Sequence, residues 1–312
     1  MVHDIDPTST KSDAVGAAFG DQKAERVLNK WAVWWELAKP RLSLLSVITV
    51  LVGYLAAQPH LQWSILIALT IGSSLAAGGC GAVNQWWERK EDAKMSRTAH
   101  RPLPSKLVQP QSVLIYGVTL CLLGDVILWY GCNASAAFLT LLIQISYLFI
   151  YTPLKKCTVW NTEVGAIPGA LPPLVGWAAA EPSSWTLGGL LFALILAWQI
   201  PHFMALSWMF REDYAKGGFR MLAVEDSSGQ RTARKSFIYT LLLVGVSLSP
   251  LFLTDLSSVY AGAAAILGLL FLLKAIQFLR FPDGVKAARE LFLTSILYLP
   301  LLLLALVIDL WV

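Results

Sequence analysis

Residues 63 to 104 read WSILIALTIGSSLAAGGCGAVNQWWERKEDAKMSRTAHRPLP, and this stretch decides what kind of chain it belongs to. Its first 25 residues, 63–87, contain no Asp, Glu, Lys or Arg. A helix of that length rises about 37 Å, enough to cross a hydrocarbon core of about 30 Å. The same window then turns abruptly into acids, bases and tryptophan. Reading outward, further apolar runs lie at 42–58, 111–130, 135–152, 163–180, 185–209, 236–253, 258–279 and 290–311, so that about nine spans are expected. The 312 residues are 56% hydrophobic and 14% charged, against about 25% charge in a soluble domain. A membrane barrel would read as short alternating segments instead. The expected fold class is an all-α integral membrane bundle.

Charge gives the orientation. The connections 58–62, 131–134, 181–184 and 254–257 hold no Lys or Arg, whereas those at 88–110, 153–162, 210–235 and 280–289 are basic. Every Lys and Arg except Lys274 falls on one side, counting the N-terminal tail, and Lys274 lies near enough to a span end to snorkel to that side. The positive-inside rule then places the N-terminus and the basic loops in the cytoplasm and the C-terminus outside, in the cytoplasmic (inner) membrane. The net charge of +4 is therefore a topology signal, and nucleic acid is not an expected partner. Residues 1–30 are expected to form a polar, disordered cytoplasmic tail without a signal peptide, preceding one membrane domain over 31–312. Cys80, Cys121, Cys132 and Cys157 form no C-x-x-C pair and read as small apolar residues.

Two cytoplasmic connections, 88–110 and 210–235, are long enough to be functional. In the first, Asn84, Glu88 and Asp92 fall at i, i+4 and i+8, which on a helix stacks three oxygen-bearing side chains along one face over about 12 Å. Glu91 lies one turn from this row. Magnesium takes one or two carboxylates together with substrate phosphates. Arg97 and Arg101 follow at i, i+4 with Lys94 and Lys90 nearby, and guanidinium groups grip phosphate in a bidentate fork. The charges alone fit equally well a solvated loop whose acids balance its bases. Asn84 tips the reading toward a diphosphate and metal site, because an amide among apolar residues at a span end is costly without a partner.

The second long loop repeats the mixture with Glu212, Asp213, Tyr214, Lys216 and Arg220, and Gly217–Gly218 permits a tight turn over a ligand. Glu225 and Asp226 either cap a helix or stay solvated. Upstream, WQIPHFMALSWM at 198–209 puts His202 deep in a span after Pro201, where three roles are open to it: haem ligand, hydrogen bond to a propionate, or helix packing. In the short connection YTPLKKCTVWN at 151–161, Tyr151, Lys155, Lys156 and Asn161 either neutralise a diphosphate or anchor the interface. The Gly- and Pro-dense GAIPGALPPLVGW at 165–177 implies a kinked helix beside a cavity. Asp125, the main acid deep in a span, finds no role beyond interhelical pairing.

The first acidic stretch, N-Q-W-W-E-R-K-E-D followed by M-S-R-T-A-H-R-P-L, resembles the first motif of the intramembrane prenyltransferases of the UbiA superfamily. Within it, M-x-R-T-x-x-R-P-L at 95–103, Y-T-P-L-K-K with G-A-x-P-G-A-x-P-P-x-x-G-W, and W-Q-x-P-H-F with D-Y-A-x-x-G-x-x-M-L resemble the protoheme IX farnesyltransferase family. The resemblance covers residues 30–312. It implies a nine-helix bundle around a central cavity open to lipid, farnesyl diphosphate and haem b as substrates, haem O as product, and Mg2+ as cofactor. It maps metal and catalytic roles onto Asn84, Glu88, Asp92 and Asp213, and diphosphate contacts onto Arg97, Arg101, Lys94, Lys155, Tyr151 and Tyr214. His202 becomes the haem-binding candidate, and a haem A synthase a possible recipient of the product. Two departures stand out: Glu88 replaces the usual Asp, and Gly217 stands where the superfamily's second D-x-x-x-D has its last acid. Two rivals differ in class. A sister prenyltransferase would act on a quinone precursor or a chlorophyll-like acceptor. A transporter would show repeats and midplane charges rather than charge gathered on one face.

Overall fold

The computed structural model describes residues 30–57, 60–254 and 256–312. The polar tail expected over residues 1–30 lies, up to residue 29, outside the described residues. A short helix α1 (Lys30–Leu37) precedes α2 (Pro40–Ala57), α3 (Trp63–Asp92), α4 (Pro110–Gly131) and α5 (Ala134–Leu154). After α6 (Asn161–Ala170) and α7 (Pro172–Ala179) come α8 (Thr186–Met209), the short α9 (Arg211–Gly217) and α10 (Leu222–Glu225), then α11 (Gln230–Leu253), α12 (Ser258–Arg280) and α13 (Val285–Trp311). Among the described residues there is no strand, and eight helices are long and apolar enough to cross a membrane.

The ninth crossing, expected over 163–180, is made by α6 and α7 in series. Pro168, Pro172 and Pro173 remove backbone donors there, so the segment cannot run as one regular helix. It still traverses the bundle. At its start Asn161 donates Nδ2 to the Arg220 carbonyl (2.9 Å), among the cytoplasmic loops. At its far end the Ala178 carbonyl accepts from Asn133 in the α4–α5 turn (2.8 Å).

Two boundaries differ from the hydropathy reading, each for a local reason. Helix α3 continues five residues past 87, because Glu88 and Asp92 face inward and find cations there. Helix α11 begins six residues before 236, because Asp226 caps it, accepting from the Thr232 amide (2.8 Å) and hydroxyl (2.9 Å). Glu225, left open above, pairs with Arg220 at 2.8 Å. In α5, residues Ser146–Tyr151 form a π turn just before Pro153, whose missing N–H already disturbs the helical ladder. Tyr147 and Tyr151 of this turn both line the cavity.

Without a hydrophobic force between helices in lipid, close backbone approach does the packing. A Cβ on Gly79 would lie 2.6 Å from the Gly117 carbonyl oxygen, and one on Gly124 would lie 2.6 Å from that of Gly72, so α3 and α4 touch backbone to backbone. Helices α2 and α7 meet the same way: a Cβ on Gly53 would fall 2.0 Å from Pro173 O, and one on Gly176 would fall 1.8 Å from Val50 O. Asp125 takes the pairing role left for it, accepting from Gln144 of α5 at 2.8 Å. Lys274 pairs with Glu290 of α13 at 2.8 Å.

Gly176→Ala should therefore force α2 and α7 apart and lower stability by roughly 1–3 kcal/mol, whereas Gly245→Ala, with nothing within 4 Å of the new methyl, should leave the thermal unfolding midpoint in detergent unchanged. Equal midpoints for the two variants would contradict the contact.

Candidate active site

The inner faces of α2, α3, α5, α6, α7, α8 and α13 enclose a cavity of about 540 Å³. Helix α3 supplies its spine. Ser73, Ala76, Ala77, Cys80, Gly81, Asn84, Glu88 and Asp92 all line it, a single stripe at helical spacing that turns from small and apolar to charged.

At the charged end each α3 oxygen group meets a cation from another element. Asn84, 1% exposed, accepts from Lys39 Nζ at 2.7 Å. Glu88 pairs with Lys155 at 2.7 Å, and Asp92 with Arg101 at 2.7 Å. Buried carboxylates demand such partners. Burial works against the Lys155 ammonium, but Glu88 and the Tyr151 and Tyr147 phenols outweigh it and hold its pKa above the ordinary lysine value. Lys39 has no carboxylate partner at salt-bridge distance among the described residues. Burial first, and Arg101 second, push its ammonium down to about 7, which Glu88 and Asp92 only partly offset.

The remaining sequence candidates divide. Arg97 lines the cavity, lies 5.0 Å from the Phe210 and Tyr214 ring centroids, and keeps a buried Nε without a partner among the described residues. Tyr151 lines it too, with Lys155 Nζ 4.6 Å from its ring centroid, and Tyr214 closes the loop side. Lys94, by contrast, is exposed and outside the cavity lining, on the turn after α3. Glu91 pairs with Lys156 beside the site.

Asp213 is also placed differently from the expectation. Its carboxylate faces the first loop rather than the cavity, accepting from the Ser96 hydroxyl (2.7 Å) and from the Ser96 (3.4 Å) and Arg97 (3.2 Å) amides. Those hydrogen bonds, that of the Ser96 hydroxyl foremost, lower its pKa. In this arrangement Asp213 latches the second long loop onto the first and so fixes where Arg97 points.

Deeper in, His202 lies between Trp198 and Phe292, with both ring centroids at 4.8 Å. Its Nδ1 is 2.7 Å from Ser295 Oγ, which itself donates to the Phe292 carbonyl at 2.6 Å. Ser295 has spent its proton on that carbonyl, so it accepts from Nδ1–H, and Nε2 is left with a free lone pair. Sequence reasoning missed Lys39, Ser96 and Ser295. Lys39 had a signal in Lys-Pro-Arg just ahead of the first span: Pro40 opens α2, and Lys39 turns the chain at φ 48°. The other two are ordinary serines whose partners lie 117 and 93 residues away.

The oxygen row suits a hard cation. Two carboxylates and an amide on one helix face, inside a cavity ringed by Lys39, Arg97, Arg101 and Lys155, offer what magnesium and a polyanionic substrate need together. Among the described residues no three His, Cys, Asp or Glu side chains gather as a self-sufficient metal cage, which fits an ion whose remaining ligands come from phosphate and water.

A membrane helix bundle with a diphosphate-type cradle at one end of its cavity defines an intramembrane prenyltransferase, and residues 46–297 match the model of the UbiA prenyltransferase family, to which the chain belongs. Its curated relatives share one more specific name. It is 48% identical to the protoheme IX farnesyltransferase of Opitutus terrae, covering 90% of this chain and 95% of that protein, and 41% identical to that of Solibacter usitatus, covering 86% and 94%. The same-named protein of Salinibacter ruber is 39% identical, with 88% and 96% covered. Among solved structures the fold matches a digeranylgeranylglyceryl phosphate synthase (TM-score 0.77, 18% identity, 91% of this chain and 99% of that one). It also matches a UbiA homolog from Archaeoglobus fulgidus bound to GPP and Mg2+ (TM-score 0.62, 12% identity, 88% and 99%).

Asp213→Asn should loosen the loop latch and speed proteolytic nicking within 93–110 several-fold, with the bundle intact. Because the Asp213 pKa is depressed from an ordinary 3.8, its contribution is complete above that value and fades as pH falls below it. Amide exchange at Ser96 and Arg97 should rise there in the parent protein but not in the variant.

Proposed function

We propose that this enzyme transfers the farnesyl group of farnesyl diphosphate to a vinyl group of haem b, giving haem O. The full-length similarity to protoheme IX farnesyltransferases supports the pair of substrates. The observation that carries the reading is the charged end of the cavity, where Asn84, Glu88 and Asp92 face Lys39, Arg97, Arg101 and Lys155.

The cations take the diphosphate, Arg97 with its unpartnered Nε and Lys39 without a carboxylate partner, and they stabilise the negative charge that grows on the leaving group as the C1–O bond breaks. Asn84, Glu88 and Asp92 would hold Mg2+, which when bound would supply electrophilic stabilisation of that leaving group. Lys155 and Arg101, paired with Glu88 and Asp92 on the same side of the cavity, add two further cations for the phosphate oxygens. The walls around C1, with Tyr147, Tyr151 and Tyr214 the nearest aromatics, keep bulk water from the allylic cation. The vinyl carbon bonds to C1, the cation passes to the neighbouring vinyl carbon, and water adds there with loss of one proton, leaving a hydroxyethyl-farnesyl side chain. His202 presents its free Nε2 lone pair to the haem iron, with Ser295 fixing the ring.

The enzyme lies in the cytoplasmic membrane with the charged end and the N-terminus inside and the C-terminus outside, so the diphosphate enters from the cytoplasm. A haem A synthase is the natural recipient of the product.

Purified protein given haem b, farnesyl diphosphate and Mg2+ should form a product whose mass shows the added hydroxyethyl-farnesyl group, and chelation should stop it. Asn84→Ala and Asp92→Ala should each lose at least about a hundredfold in turnover while reaching the membrane at parental levels. Diphosphate release with a quinone precursor but not with haem would move the acceptor and keep the fold.

A further inference from the structure

The cavity does not end in hydrocarbon. At the end away from the carboxylates, three helices each contribute a polar group to its wall: Thr49 from α2, Ser73 from α3, and Thr140 with Gln144 from α5. Each of the four is at least 93% buried. Ser73 lines the cavity, and its Oγ is buried without a hydrogen-bond partner among the described residues. Gln144 is held from behind by the intramembrane carboxylate Asp125, which takes its amide NH2 at 2.8 Å and leaves the amide carbonyl oxygen uncommitted. Through the same interhelical pairing, Asp125 is a positioning residue for this wall.

The three helices agree on depth. From Asn84 to Ser73 is eleven residues of unbroken helix, about 16 Å. On α5, Thr152 stands level with Asn84 (Oγ1 to Nδ2 3.4 Å), and from it back to Thr140 is twelve residues, about 16–18 Å across the π turn, with Gln144 one turn nearer the charged end; from Lys39 to Thr49 is ten, about 15 Å. Between these two ends the α3 wall is Ala76, Ala77, Cys80 and Gly81, small side chains that leave a groove one chain wide. The aromatic group of Trp198, His202, Phe203 and Phe292 lies on α8 and α13, a different wall. An extended farnesyl chain has eleven backbone bonds of about 1.5 Å in zigzag and spans about 14 Å. With the diphosphate at the carboxylates and C1 level with Asn84, its last methyls reach the polar wall and stop. A chain one isoprene longer adds about 5 Å and must press hydrocarbon onto groups that then lose water without gaining a bond.

We infer that Ser73, Thr140 and Gln144 form the floor of the prenyl-chain groove and set its limit at a fifteen-carbon chain. The inference rests on the proposed prenyl donor, but its test reads donor binding by itself.

Binding of geranyl, farnesyl and geranylgeranyl diphosphates with Mg2+ is measured for the full chain in detergent, alongside haem turnover. The parent should favour the C15 chain over C20 by at least about tenfold. Ser73→Ala with Thr140→Val removes the hydroxyls at little structural cost, since Ser73 bonds nothing and Thr140 only its own helix at Ala136 O. This variant should narrow that gap about tenfold. Ala77→Leu fills the groove and should shift preference the other way, to the C10 chain, with haem affinity unchanged. A chain-length profile identical in parent and both variants overturns the inference, as does a change confined to haem affinity. A shifted profile without any farnesylated haem in the parent keeps the floor and removes the haem reading instead.

Discussion

Two carboxylates buried at the end of a membrane helix are the constraint on which the site is built. Glu88 and Asp92 cannot stay charged there alone, and the partners they recruit come from separate parts of the chain: Lys155 after α5, and Arg101 from the loop beyond α3. Lys39, from the bend before α2, completes the group through Asn84. These three contacts pull α2, α5 and the first loop around one face of α3. They also give each buried α3 carboxylate a cation of its own, so that neither stands as bare charge at the end of a membrane helix.

Around that centre the packing is divided by purpose. Where nothing needs to bind, backbones touch: α3 against α4 through Gly79 and Gly117, α2 against α7 through Gly176. Where a substrate must fit, the regular helix gives way. The proline-broken α6–α7 pair and the π turn of α5 both border the cavity. The second loop contributes by a different route from the first. Asp213 holds Ser96 and the Arg97 amide, so this acid acts on the site through the position of an arginine rather than from the cavity wall.

Much of this was legible in the chain. Nine crossings, the face that carries the bases, and the helical row Asn84–Glu88–Asp92 follow from local quantities: apolar run length, charge per loop, and a spacing of four on a helix. Arg97, Arg101, Tyr151, Lys155, Tyr214 and His202 all line the cavity, as their positions in the chain implied. Lys94 did not, because a position near a motif does not say which way a turn points its side chain.

The sequence by itself determined that the chain crosses the membrane repeatedly and that oxygen ligands and cations gather at one end, since both depend on composition and on neighbours a few residues apart. Only the tertiary structure decided the pairing of Lys39 with Asn84, the turning of Asp213 onto Ser96, the His202–Ser295 contact, and the convergence of Ser73, Thr140 and Gln144 on one end of the cavity. Each joins residues from separate helices or loops, and no local pattern records a distance that only the packing of helices sets.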